Sequence, residues 1–214
     1  MKKAFFFAGI GFGLIVLVVG VAFLFARQPA ESKPISSVGG IPQTSTGGGA
    51  IQLSTTVGTI PYYLQHDPKW GSQTIGGSQE SMAAVGCTIT CVAMGLSALG
   101  HPVDPSQVCD QLKNRNGFTE RGYLIWSKVG EITSGKIQIG IPEVSHAVID
   151  AELVKRRPVI VKILLAPTIP HWVLIVGKEG QEYLVMDPLN DDKRLVKLSE
   201  LSDSIEAVRV FRQS

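Results

Sequence analysis

The residues from Ala4 to Ala26, AFFFAGIGFGLIVLVVGVAFLFA, contain neither a charge nor a proline. A stretch of that length can cross the hydrocarbon core of a bilayer as one helix, since roughly 20 apolar residues suffice. The rival is a cleavable signal peptide, whose apolar region usually runs only about 7–15 residues and ends at a small-x-small site. Here Leu24 and Phe25 precede Ala26, which is a poor cleavage signature. Lys2 and Lys3 flank the run on one side and Arg27 on the other, so the positive-inside bias keeps the short end in the cytoplasm. The expectation is a single-pass anchor over 1–27, in the cell membrane, with the rest of the chain extracytoplasmic.

The chain carries 20 Lys and Arg against 18 Asp and Glu, a formal net charge of +2. Three of those basic residues lie in the first 27 positions, which hold no acid, so the remainder is slightly acidic. That leaves no electrostatic footprint for a phosphate backbone, and nucleic acid is not an expected partner. Residues 28–56 are rich in Gly, Ser, Thr and Pro and lack apolar periodicity, the composition of a flexible linker. The pattern changes near Val57, and 57–214 is long enough for one substantial core.

Within that region Cys87–Leu99 is apolar nearly all round, which predicts a central buried helix. Gly86 precedes it, and Gly100 and Pro102 stop it. Asp104-Pro105-Ser106-Gln107 supplies an N-cap, a first-turn proline and a capping-box glutamine for a second helix ending near Asn114. Further helices are predicted at Thr119–Val129 and Ser145–Arg157, followed by strands at Val159–Leu165, Trp172–Val176, Tyr183–Met186, Leu195–Leu198 and Ala207–Phe211. Helices first and consecutive strands later predict an α+β domain with an antiparallel sheet.

HWVLIVG and YLVMDP flank Lys178-Glu179-Gly180. A three-residue loop centred on Glu179 sets His171 directly opposite Asp187, with Cβ atoms roughly 4.5–5.5 Å apart. A two-residue loop or a bulge shifts that register. The alternative is a strand-end histidine and a turn aspartate before Pro188. Cys87 stands at the start of the buried helix, where the helix dipole favours a thiolate. Thiolate, imidazole and carboxylate form a nucleophile, base and orienter set for acyl transfer. Against this, a lone cysteine is often only a small core hydrophobe. His66, His101 and His146 are poorer base candidates, because none begins a strand facing an acid.

The segments YYLQHDPKW, GCTITCVAMGLSALG, NGFTERGYLIW, HWVLIVG and YLVMDP resemble the papain-like cysteine peptidases of the bacteriocin-processing, double-glycine leader type, in the branch that occurs without a transporter. The resemblance covers nearly all of Ile60 to Phe211. It implies a papain-like fold, Cys87 as nucleophile, His171 as general base and acid, Asp187 as its orienting residue, and Gln65 as an oxyanion-hole donor. A side-chain amide suits that last task, because it donates without titrating. The expected partner is a peptide or protein substrate, and no cofactor is implied. The family often reads Cys-Gly-Pro-Thr at the helix start, where this chain has Cys87-Thr88-Ile89-Thr90. A non-catalytic peptide-binding module and a thiol acyltransferase therefore stay open beside a peptidase.

Three cysteines outside the cytoplasm also allow one free thiol and one disulfide, here Cys91–Cys109 if Cys87 is free. A zinc site from the three cysteines and a histidine fits no closed ligand spacing.

Overall fold

The structure, a computed structural model, describes residues 40–45, 47, 49–52, 60–166 and 168–214. The apolar run Ala4–Ala26 lies outside the described residues. Among the described residues no helix is long and apolar enough to cross a membrane.

Two short strands come first, β1 (Ile41–Pro42) and β2 (Ala50–Gln52). Four helices follow: α1 (Met82–Val85), α2 (Cys87–Ala98), α3 (Pro105–Lys113) and α4 (Val129–Ile132). Then come β3 (Ile137–Gly140), α5 (His146–Val154), β4 (Val159–Leu165), β5 (Ile169–Glu179) and β6 (Glu182–Met186). The chain closes with β7 (Val196–Lys197), β8 (Ser204–Ile205) and β9 (Ala207–Gln213). The main sheet runs β3-β9-β4-β5-β6-β7, with β2 added to β5, while β1 pairs with β8. Every pairing is antiparallel, as a hairpin-rich α+β domain requires.

Helix α2 packs against β5 and β4 and is buried as its composition dictates, with Ile89, Cys91, Val92, Ala93, Met94 and Leu96 all inaccessible or nearly so. Gly95 faces the Phe211 ring so closely that a Cβ has no room, which lets the helix approach that side chain of β9. Gly86 works differently. A Cβ there would meet the Met82 backbone, so glycine alone lets α1 turn directly into α2. The capping box of α3 forms as expected, Asp104 Oδ1 accepting from the Gln107 N–H at 2.8 Å and Gln107 Oε1 from the Asp104 N–H at 3.0 Å.

Three expectations are corrected. Thr119–Val129 is not one helix. Phe118 bridges to Leu124 across a turn with Gly122 at φ 82°, and a 3-10 turn at Trp126–Lys128 leads into the short α4. A left-handed backbone at Gly122 cannot continue an α-helix.

The linker expected over 28–56 extends too far. Its residues 41–42 and 50–52 are strands of the domain, and Ser45 is buried. Ser45 sits in a network in which Lys178 Nζ donates to Ser45 Oγ at 2.7 Å and to Asp150 Oδ2 at 2.8 Å, and the Tyr183 hydroxyl donates to Asp150 Oδ1 at 3.0 Å. Burial pushes the Asp150 carboxyl up, but the hydrogen bonds from Lys178, Ser45 and Tyr183 outweigh it and hold it below its ordinary value.

The disulfide does not exist, for all three cysteines are free. The Cys91 thiol points at the Trp172 carbonyl, 3.3 Å away, whereas Cys109 faces the Thr74 carbonyl at 3.8 Å. The two sulfurs are aimed at different neighbours.

Candidate active site

The β5–β6 hairpin turns on two residues, Gly180 and Gln181, so that Glu179 pairs with Glu182 and Lys178 with Tyr183. Gly180 has φ 60°, at the position where a type II′ turn takes glycine. The expected three-residue loop is thus replaced. Carried on unbroken, the two-residue register would put His171 and Asp187 on opposite faces of the sheet. A bulge at Val176 prevents this: beyond it Ile175 pairs with Val185 and Leu174 with Met186. Continuing one residue past β6 sets Asp187 against Val173, on the face His171 occupies. The pair meets diagonally rather than directly opposite.

His171 Nε2 and Asp187 Oδ1 are 2.6 Å apart, and both residues are buried. An ionised carboxylate only accepts, so Nε2 carries the proton toward Asp187 and Nδ1 remains for the Cys87 thiol. Burial pulls the His171 pKa down. Hydrogen bonds to Asp187 and to the Cys87 side chain, with the charges of both, more than reverse this and raise it to about 9. The structure therefore hydrogen-bonds His171 to Asp187, with Cys87 among the groups that raise the imidazole pKa. The other two thiols are held as neutral SH: burial pushes Cys91 well up, and it pushes Cys109 to about 11.

Gln65 is buried and pinned from two sides. Its Nε2 donates to the Ala83 carbonyl at 2.9 Å, four residues before Cys87, and its backbone N–H donates to Pro188 O at 3.0 Å, next to Asp187. One amide hydrogen is thereby committed, and Oε1 is buried without a partner among the described residues. The start of α2, which carries Cys87, has no side-chain cap. His66 pairs with Asp191 at 2.7 Å on the surface, and His146 contacts the Tyr183 hydroxyl at 3.2 Å, so neither faces Cys87.

Two residues escaped the sequence reading. The Tyr62 hydroxyl accepts the Asp187 N–H at 2.8 Å and has the Asp187 carbonyl at 3.1 Å for its own proton. Burial pushes its pKa to about 12, so it keeps that proton. Arg209 stacks on Trp126 and Trp172 with its guanidinium 5.0 and 5.2 Å from the ring centroids, bracing the strand beside His171. An aromatic-rich first loop was the sole signal for Tyr62. Nothing local marked Arg209. Among the described residues no group of His, Cys, Asp and Glu is arranged to hold a metal ion.

A helix-borne cysteine beside a hydrogen-bonded histidine and aspartate, carried on an antiparallel sheet, is a layout used by thiol peptidases. The Peptidase_C39 like family matches residues 57–207, and the chain belongs to that family. A crystal structure from Bacillus anthracis, of a protein assigned to the C39-like peptidases, superposes with a TM-score of 0.53 at 14% identity. The alignment covers 78% of this chain and 98% of that one, and the likeness is one of fold. Comparison with curated proteins finds no match.

Proposed function

We propose that this protein is a cysteine peptidase acting outside the cytoplasmic membrane, to which Ala4–Ala26 anchors it. The observation that carries the reading is the His171–Asp187 hydrogen bond beside Cys87 at a helix start. Cys87 Sγ attacks the scissile carbonyl as the thiolate, its proton having passed to His171 Nδ1. The developing oxyanion is met by the Cys87 N–H, at a helix start without a side-chain cap, and by the Gln65 amide hydrogen not bound to Ala83. The imidazolium then protonates the leaving amine, and an acyl-enzyme thioester remains. Water, deprotonated by His171, attacks the thioester and releases the acid with the free thiolate. Asp187 holds the imidazole in the tautomer that this sequence of proton transfers needs. Within the family, the stand-alone bacteriocin-processing branch is the resemblance that supports a peptide substrate.

The test is incubation of the wild type, Cys87→Ala and His171→Ala proteins with a mixed peptide library, followed by mass spectrometry of the new termini. Cleavage by the wild type alone supports the peptidase. Cleavage that persists in Cys87→Ala overturns it. Amide products formed only with an added amine would instead favour acyl transfer, and binding without turnover a non-catalytic module.

A further inference from the structure

Away from Cys87, helix α5 and the C-terminal half of β9 border an open groove of about 450 Å³. Ala147, Val148, Ala151 and Val210 form its apolar floor. Lys155, Arg157 and Arg212 stand along its rim. The acid within this rim is Glu152, shared by Lys155 at 2.9 Å and Arg157 at 3.6 Å, and Glu143 lies exposed nearby in the chain. Arg156 completes the run Lys155-Arg156-Arg157, so four basic residues face two acidic ones in a domain that is otherwise slightly acidic. Val154 and Ile141, chain neighbours of lining residues, are 71% and 62% exposed. Exposed aliphatics among Lys and Arg make up a surface that suits an anionic bilayer, where the apolar groups enter the interface and the cations meet phosphates.

The path of the chain selects that occupant. Ile41 pairs with Ile205, and Gly40 lies against Ile205 and Glu206, immediately before β9 begins at Ala207. Val210 and Arg212 follow three and five residues later, about 10–17 Å along the strand. Between Arg27 and Gly40 there are only the twelve residues 28–39, which span at most about 40 Å when fully extended. An anchored domain thus meets the bilayer surface at high local concentration.

We propose that the groove between α5 and β9, with its Lys155, Arg157 and Arg212 rim, seats the domain on the anionic phospholipid surface of the membrane that holds its N-terminus. This rests on the anchor reading of Ala4–Ala26. Seating turns the face formed by α5 and β9 toward lipid.

The test uses the full chain reconstituted into nanodiscs of phosphatidylcholine alone and of phosphatidylcholine with phosphatidylglycerol, followed by amide hydrogen exchange of residues 141–157. Exchange should slow severalfold in the phosphatidylglycerol discs. The double substitution Val154→Ser with Lys155→Glu, at two exposed positions, should abolish the difference, as should high salt. Protein that enters both discs and exchanges equally overturns the seating alone. Protein that enters neither disc overturns the anchor and the seating with it.

Discussion

His171 Nε2 and Asp187 Oδ1 lie 2.6 Å apart although the hairpin register sets Asp187 against Val173, two residues from His171. The contact depends on the bulge at Val176 keeping both side chains on one face. It also depends on the Asp187 backbone being fixed, through the Tyr62 hydroxyl on its N–H and the Leu189 N–H on its carboxylate at 2.9 Å. Asp187→Asn preserves the shape but offers an amide that need not hold the Nε2–H tautomer. Turnover on a working peptide should fall by roughly 10²–10⁴-fold, with the thermal midpoint little changed. Near-wild-type kcat/KM in this variant would assign the orienting role to another group.

Iodoacetamide should modify Cys87 far faster than Cys91 or Cys109 in the folded protein, read by peptide mapping. Cys91 is fully buried with its thiol turned to the Trp172 carbonyl, and Cys109 is buried against Thr74. Equal labelling of all three would remove Cys87 as the nucleophile.

The raised pKa of His171 ties stability to pH. Its value is about 9 in the fold against 6.5 in the unfolded chain. The folded protein therefore binds this proton more tightly than the unfolded chain does, and the associated stabilisation is complete below pH 6.5. It is lost as pH rises from 6.5 through about 9, and amounts to a loss on the order of 3 kcal/mol. The thermal midpoint should fall across that window, and the fall should be shallower in Cys87→Ala, which lacks one of the two groups that raise the pKa. A midpoint independent of pH from 6.5 to 9 would contradict the hydrogen-bonded group described above.

Gln65→Ala removes the proposed second oxyanion donor and an amide oxygen that has no partner among the described residues. The expected result is a drop of roughly 10²–10³-fold in kcat. Stability should change by no more than about 1 kcal/mol, since the single side-chain hydrogen bond lost is that to Ala83. Loss of folding without a specific loss of kcat would make Gln65 structural.

Lys178→Met strips the cation from a nearly inaccessible site and leaves Asp150 facing Ser45 and Tyr183 without its counter-charge. A destabilisation of about 3 kcal/mol is expected in urea unfolding. The N-terminal strap, residues 40–52, should become sensitive to protease.

The parts readable from sequence were those whose partners are local. Helix α2 declared itself by apolar residues on every side, and α3 by Asp104 and Gln107, which cap one another three residues apart. His171 and Asp187 were legible as neighbours because one hairpin joins them, even with the wrong turn length. The error in the turn and the unseen bulge cancelled in parity, and this kept the two side chains on a common face. Tyr62 was not legible, since its partner Asp187 is 125 residues away. The strands of the strap were hidden for a similar reason, because Ser and Gly give β1 and β2 no pattern and their pairing is dictated by β8 and β5. The Thr119–Val129 segment has helical spacing, but Gly122 and the Phe118–Leu124 bridge override it.

Ser45 meets Asp150 and Lys178 across 105 and 133 residues of intervening chain. During synthesis from the N-terminus, the strap emerges long before the strand it joins. It must therefore wait unpaired until most of the domain has been made. Its docking is the closing event of biogenesis, and a truncated or stalled polypeptide would be marked by a strap still open to quality-control proteases.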